Sequence, residues 1–204
     1  REEATPPAIY QLKITLRHLA PPVWRRVQVP NDITFGQLHD AIQTAMGWYN
    51  CHLHEFRVGE ARFGMTHDPM GGPLEMNDAL DENDYQLCEL GLRAKSKFNY
   101  EYDFGDDWEH QIVLEEVLPL EPGFAPICVA GSRAGPAEDS GGPWGYAEKL
   151  AILADPKHSE HEEIAEWMGA DFNPEAFDLE AINRSLASLG RSWKATSRKR
   201  RSNK

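Results

Sequence analysis

The sequence predicts an α+β fold: one mixed β-sheet, β-grasp-like, with two hairpins and a crossing helix, followed by a C-terminal helical segment packed on it. Three observations predict it. Apolar residues alternate through 9–17 and 23–29, as in half-buried strands. Helical spacing follows at once over 35–46, and alternation returns between Lys97 and Leu118. Beyond Pro119 a turn-rich stretch leads into three helical periods.

Residues 1–8 read as a flexible leader. In IYQLKITLR, Tyr10, Leu12, Ile14 and Leu16 face one way, and VWRRVQV forms a hairpin with it. Pro21 and Pro22 cannot donate to a ladder and belong in the connection. Thr34 is a suitable N-cap for a helix carrying Phe35, Leu38, Ile42, Ala45 and Met46, ending at Gly47. His52–Val58 reads as a third strand with both histidines on one face. Residues 59–83 are expected to be irregular, with room for one helical turn, and 85–92 to hold a short strand or helix. The 119–143 stretch reads as a structured loop, with helices near 144–154, 158–168 and 174–189. The last is expected to start at Asn173-Pro174. One domain over 9–189 results, sheet-rich to 118, with a basic, disordered tail at 190–204.

The hairpin NYEYDFGDDWEH is the densest chemistry in the chain. A two-residue turn at Gly105-Asp106 would place His110 beside Glu101, where the carboxylate could orient it for acid–base or metal work. A three-residue loop would pair Phe104 with Trp108, Tyr102 with His110 and Tyr100 with Ile112. The second keeps aromatic and charged groups on separate faces and is preferred. It makes His110 part of an aromatic face.

Charge is uneven. Net charge is −12, yet Arg191–Lys204 holds seven Lys and Arg and no acid. Removing those seven from the 21 leaves 14 bases against 33 acids, a net −19 for the body. Such a body repels a phosphate backbone, so nucleic acid would be met only through the Arg191–Lys204 tail. No apolar run spans a membrane. Three scattered cysteines with no CxxC fit a reducing cytoplasm better than a disulfide framework or a thiolate zinc site.

Several ordered segments together resemble the plasmid pRiA ORF-three-like family, also described as insertion-sequence passenger proteins. They are PPVWRRVQVP, TFGQLHDAIQTAMGW, HLHEF, YEYDFGDDWEHQI, PICVAGSRAGPAEDSGGPWGY, DPKHSEHEEIAEWMG and DFNPEAFD, spanning roughly 9–186. The resemblance implies a shared fold and a mobile-element association. It implies no settled activity.

Within these segments, Tyr102, Asp103, Asp106, Trp108, His110, Glu138, Asp139, Trp144 and Tyr146 are candidate ligand-binding residues. Trp144 and Tyr146 read mainly as anchors packing on the core. His52, His54, His110, Asp139, His158, His161 and Glu162 are candidate ligands for a divalent ion, zinc or manganese, because imidazole and carboxylate suit such cations. A capping role for the acids after Ser159 competes with that reading. The leading functional expectation is a non-catalytic binding module for a protein or small molecule. A metal-dependent hydrolase or nuclease, and an accessory nucleic-acid factor, are the alternatives.

Overall fold

Strict alternation gives each strand one buried face, and hydrogen-bonded register lines those faces up into a single layer. The computed structural model describes residues 5–67, 78–169 and 171–202, the last eight as backbone only. The strands are β1 (Ala8–Leu16), β2 (Trp24–Pro30), β3 (His54–Val58), β4 (Ala61–Gly64), β5 (Leu80–Asp81), β6 (Lys97–Tyr102), β7 (Trp108–Pro119) and β8 (Ile127–Ser132). Their order across the sheet is β5-β4-β3-β6-β7-β1-β2-β8. Every pairing is antiparallel except β4–β5, so the sheet is mixed and the class is α+β.

Helix α1 (Phe35–Met46) packs on the apolar face. It forms where the sequence sets its ends. Thr34 and Gln37 make a reciprocal capping box, and Gly47 closes the helix at φ 84°, where a side chain would be strained. Phe35 stacks on Phe63 with ring centroids 4.3 Å apart and lies 5.1 Å from Phe56. Arg25 is buried beneath the helix end. Its guanidinium donates to the Ala45 carbonyl at 2.7 Å and to Ser132 at 3.0 Å, tying α1 to β8. The opposite sheet face is polar: Arg26 bonds Glu115, and Arg57 and Arg62 flank the buried Glu55 carboxylate.

The central hairpin departs from the expected register. Tyr102 pairs with Trp108, Tyr100 with His110 and Phe98 with Ile112. The expected face survives, because a shift of two residues preserves parity. The connection is five residues, 103–107, with Asp103 at φ 58° and Asp107 at φ 57°. Phe104 therefore leaves the face and is 43% exposed. Glu101 opposes Glu109, which removes the Glu101–His110 pairing.

Other expectations need correction. Residues 59–83 contain β4, hairpinned to β3, and β5, and among the described residues of that stretch no helical turn occurs; 68–77 lie outside the described residues. Segment 85–92, where the sequence allows a short strand or a short helix, takes the helical form as a 3-10 turn at Leu87–Leu90. The 119–143 stretch contains β8, which completes the sheet beyond β2. Ala8 already belongs to β1, and Thr5 and Pro6 are hydrogen-bonded to Cys88 and Asn31, so the leader is held as far as Thr5. Residues 1–4 lie outside the described residues.

Helices α2 (Gly142–Ala154) and α3 (His161–Met168) fall near expectation, but α4 runs Leu179–Ser202. Asn173-Pro174 makes a turn instead, with Asn173 accepting from the Glu175 amide; Asp178 accepts from the Ala181 amide at the true helix start. As far as Ser202, the backbone expected as a disordered tail continues α4, and Trp193 is packed into the core cluster beyond position 189. Asn183 on α4 accepts from the Cys128 amide at 2.7 Å and donates to its carbonyl at 2.9 Å, closing a gap in the outer edge of β8. Among the described residues no helix is long and apolar enough to cross a membrane.

Two histidines bury their rings in this core. Burial lowers the His110 pKa to about 4 and, with the neighbouring His54 ring, the His39 pKa to about 3. The unfolded chain therefore binds more protons than the native one below about pH 6.5. Stability should fall as pH drops from about 6.5 towards about 3–4, by up to about 1.4 kcal/mol per pH unit for each histidine. Urea midpoints at pH 7.5 and 4.5 measure this, and His110→Phe should flatten the slope. Asn183→Ala should cost about 1–3 kcal/mol in the same assay, because it strips both bonds from Cys128.

Candidate functional site

The segment between α1 and β3 is fastened at three points before it delivers His52. Trp48 stacks on Tyr102, centroids 4.9 Å apart, and its indole donates to the Pro136 carbonyl at 2.8 Å. The Tyr49 amide donates to Glu138 Oε1 at 2.7 Å, and the Cys51 amide to the Tyr102 hydroxyl at 3.0 Å. His52 precedes β3, whereas His54 starts it and points inward. The two do not share a strand face as expected.

Asp103 ends β6. Its Oδ1 accepts from the Gly105 amide at 3.0 Å, which turns Oδ2 toward His52 Nε2, 3.6 Å away. Asp106 Oδ2 accepts from the Gly141 amide at 3.0 Å, clamping the hairpin loop to the segment that carries Glu138 and Asp139. Gly142 must be glycine here, since φ is 69° and a Cβ would strike the Asp106 carbonyl. Glu138 Oε2 lies 3.6 Å and Asp139 Oδ1 3.1 Å from His52 Nε2. Asp139 is held at φ 57° with its side chain 72% exposed.

Three loops thus bring three carboxylates around one imidazole nitrogen. That nitrogen is itself shielded from solvent and has no hydrogen bond of acceptable geometry to any of them. One donor atom from each of His52, Asp103 and Asp139 lies within 4.8 Å of the others. Oxygen and nitrogen ligands about 2.0–2.2 Å from a tetrahedral ion stand about 3.3–3.6 Å from one another. The distances from His52 Nε2 to the carboxylate oxygens, 3.1–3.6 Å, are close to that spacing. The Asp103 and Asp139 oxygens, within 4.8 Å of each other, repel when both are ionised, and a cation between them would offset that repulsion. Tyr102 sits behind the cluster, its hydroxyl 3.1–3.2 Å from both Glu138 oxygens. Burial, reinforced by Glu138, drives this phenol above its usual pKa, so it stays a donor.

The remaining candidates go elsewhere. His110 is fully buried, its Nδ1 3.3 Å from the Tyr100 carbonyl and its ring edge-on to Trp48. His54 Nε2 sits 2.6 Å from Glu82 Oε2, and its ring stacks at 3.4 Å on His39. His39 and Glu82 were not foreseen; a lone histidine in an amphipathic helix and a glutamate in a loop give no local signal. His158 accepts from the Glu160 amide. Among the described residues, His54, His110, His158, His161 and Glu162 join no metal-ligand group. Trp108 and Tyr146 are buried and meet edge to face. Trp144 is not the core anchor expected: it is 68% exposed and stacks on His18.

An eight-stranded mixed sheet with helices on one face, and a His/carboxylate cluster on the loops at one end of the central strands, define the protein class. The chain belongs to the family of plasmid pRiA4b ORF-3-like proteins, whose model matches residues 8–181. It is similar to the uncharacterized protein y4hQ of Sinorhizobium fredii, 39% identical over 195 residues, covering 95% of this chain and 98% of the relative. It is also similar to a crystal structure of a protein of unknown function, MM3350 from Methanosarcina mazei Go1. That match has a TM-score of 0.76 and 39% identity, and covers 85% of this chain and 97% of that one.

Tyr102→Phe removes the hydroxyl that joins the Cys51 amide to Glu138. It should lower stability by about 1–3 kcal/mol, measured by denaturant unfolding without added metal.

Proposed function

We propose that this protein is a binding module built around a divalent cation held by His52, Asp103 and Asp139, with Glu138 beside them as a positioning carboxylate. The carrying observation is the shielded His52 Nε2, without a hydrogen bond, facing Asp103 and Asp139 oxygens that lie within 4.8 Å of it and of each other. One imidazole with carboxylates suits Zn²⁺ or Mn²⁺. Asp103 and Glu138 each have one oxygen fixed by amide donors, which orients the other as outer hydrogen bonds do in metal sites. The exposed Asp139 leaves an open side where a ligand or water reaches the ion. That opening favours a second reading, metal-assisted hydrolysis, in which the ion activates water.

Titration calorimetry of chelator-treated protein with Zn²⁺ and Mn²⁺ tests the site. Saturable one-to-one binding with a raised melting temperature is expected, weakened at least about tenfold by His52→Ala or Asp103→Asn. Unchanged melting with both ions, together with no bound metal by elemental analysis, would sink it. A phosphodiester or ester substrate turned over by wild type and not by Asp139→Asn would move the assignment to the hydrolytic reading.

A further inference from the structure

A second concavity, of about 960 Å³, lies between the first half of α1, the turn at 83–86, the 120–126 loop and α4. Its size falls within the range of small-molecule sites. Its lining includes the partly buried Asp40 carboxylate, which lies near the Trp193 side chain. Buried Glu82 stands close enough to raise the Asp40 pKa further, though burial is the larger cause. Asp32 and Glu121 add negative charge to the lining. Lys194 is the one cation among the described lining residues, and its ammonium is occupied by the Gly123 and Phe124 carbonyls at 3.4 and 3.1 Å. Between these charges the lining is mixed, with Ile33, Leu120, Phe124, Pro126 and Trp193 interspersed with Thr34, Gln37 and Asn83.

The sign of the lining excludes an anion. A metal ion is a poor fit, since Asp40, Asp32 and Glu121 form no ligand group. A partly buried acid in a cleft that also presents Leu120, Phe124 and Trp193 is the complement of a short carbon chain ending in a positive charge. We propose that this cleft binds a small aliphatic amine or polyamine, its ammonium against Asp40 and its methylenes along Leu120, Phe124 and Trp193. The site is separate from the His52 cluster and does not depend on the cation proposed there.

Titration calorimetry of the full chain with spermidine and putrescine, at low salt with chelator, is the test. Saturable binding of at least one amine is expected. It should weaken at least about tenfold in Asp40→Asn and vanish in Leu120→Arg, which places a guanidinium in the cleft from a partly exposed position that tolerates it. His52→Ala should bind as wild type. The proposal is overturned if neither amine binds saturably, if both cleft variants bind unchanged, or if His52→Ala abolishes binding, which would put the amine among the His52 carboxylates.

Discussion

Two tyrosine hydroxyls in a largely apolar layer hold this structure in one arrangement. Tyr100 and Tyr102 stand two residues apart on β6, so both rings enter the core on the same face. The Tyr100 hydroxyl meets His39 Nδ1 at 2.8 Å and accepts from Gln43 at 3.1 Å, fixing α1 over the sheet. The Tyr102 hydroxyl joins the Cys51 amide to Glu138. A buried hydroxyl left without a partner is costly, so each constrains whatever packs above it far more tightly than apolar contact alone would. Helix placement and site geometry therefore rest on adjacent positions of one strand.

This explains how the sheet's interior and the cluster at its end are coupled. The loop bearing His52 does not sit on the surface as an independent turn. It is stacked through Trp48 onto Tyr102, and Trp48 in turn anchors the Pro136 segment that leads to Glu138 and Asp139. Asp106 closes the circle by bonding Gly141. Non-glycine residues in left-handed backbone, Asn50, Asp103, Asp107 and Asp139, occur on each of the three loops. Such conformations persist only where surrounding contacts over-determine them. The cluster is accordingly set by the fold and does not await a ligand for its shape.

Much of the architecture was legible because its signals are local. Thr34, Gln37 and Gly47 mark both ends of α1 within a few residues of the helix itself, and alternation identified the buried face of β6 and β7. The register was not legible, because it depends on a five-residue connection whose left-handed positions are aspartates, where glycine would have been the signal. β8 was hidden by the glycines and prolines around it; Gly131 lies within the strand because the Phe177 ring closes over it. Asn173-Pro174 carried a helix-start pattern that the chain uses for a turn. At the site, Asp103, Glu138, Asp139 and His52 were all singled out, yet with histidines that went elsewhere. What joins the four is a set of bonds between segments up to 89 residues apart, Tyr49 to Glu138 being the longest. No spacing rule within one segment records that.

The contact between Asn183 and Cys128 bears on how partners can approach. An outer strand normally offers unpaired amides and carbonyls, and many proteins are recognised by a peptide that extends the sheet there. At β8 the carboxamide of Asn183 mimics that peptide bond, filling donor and acceptor at once from a helix of the same chain. Extension of the sheet past Cys128 would have to evict α4 first. Recognition by β-augmentation is thus closed at Cys128 by the chain's own helix.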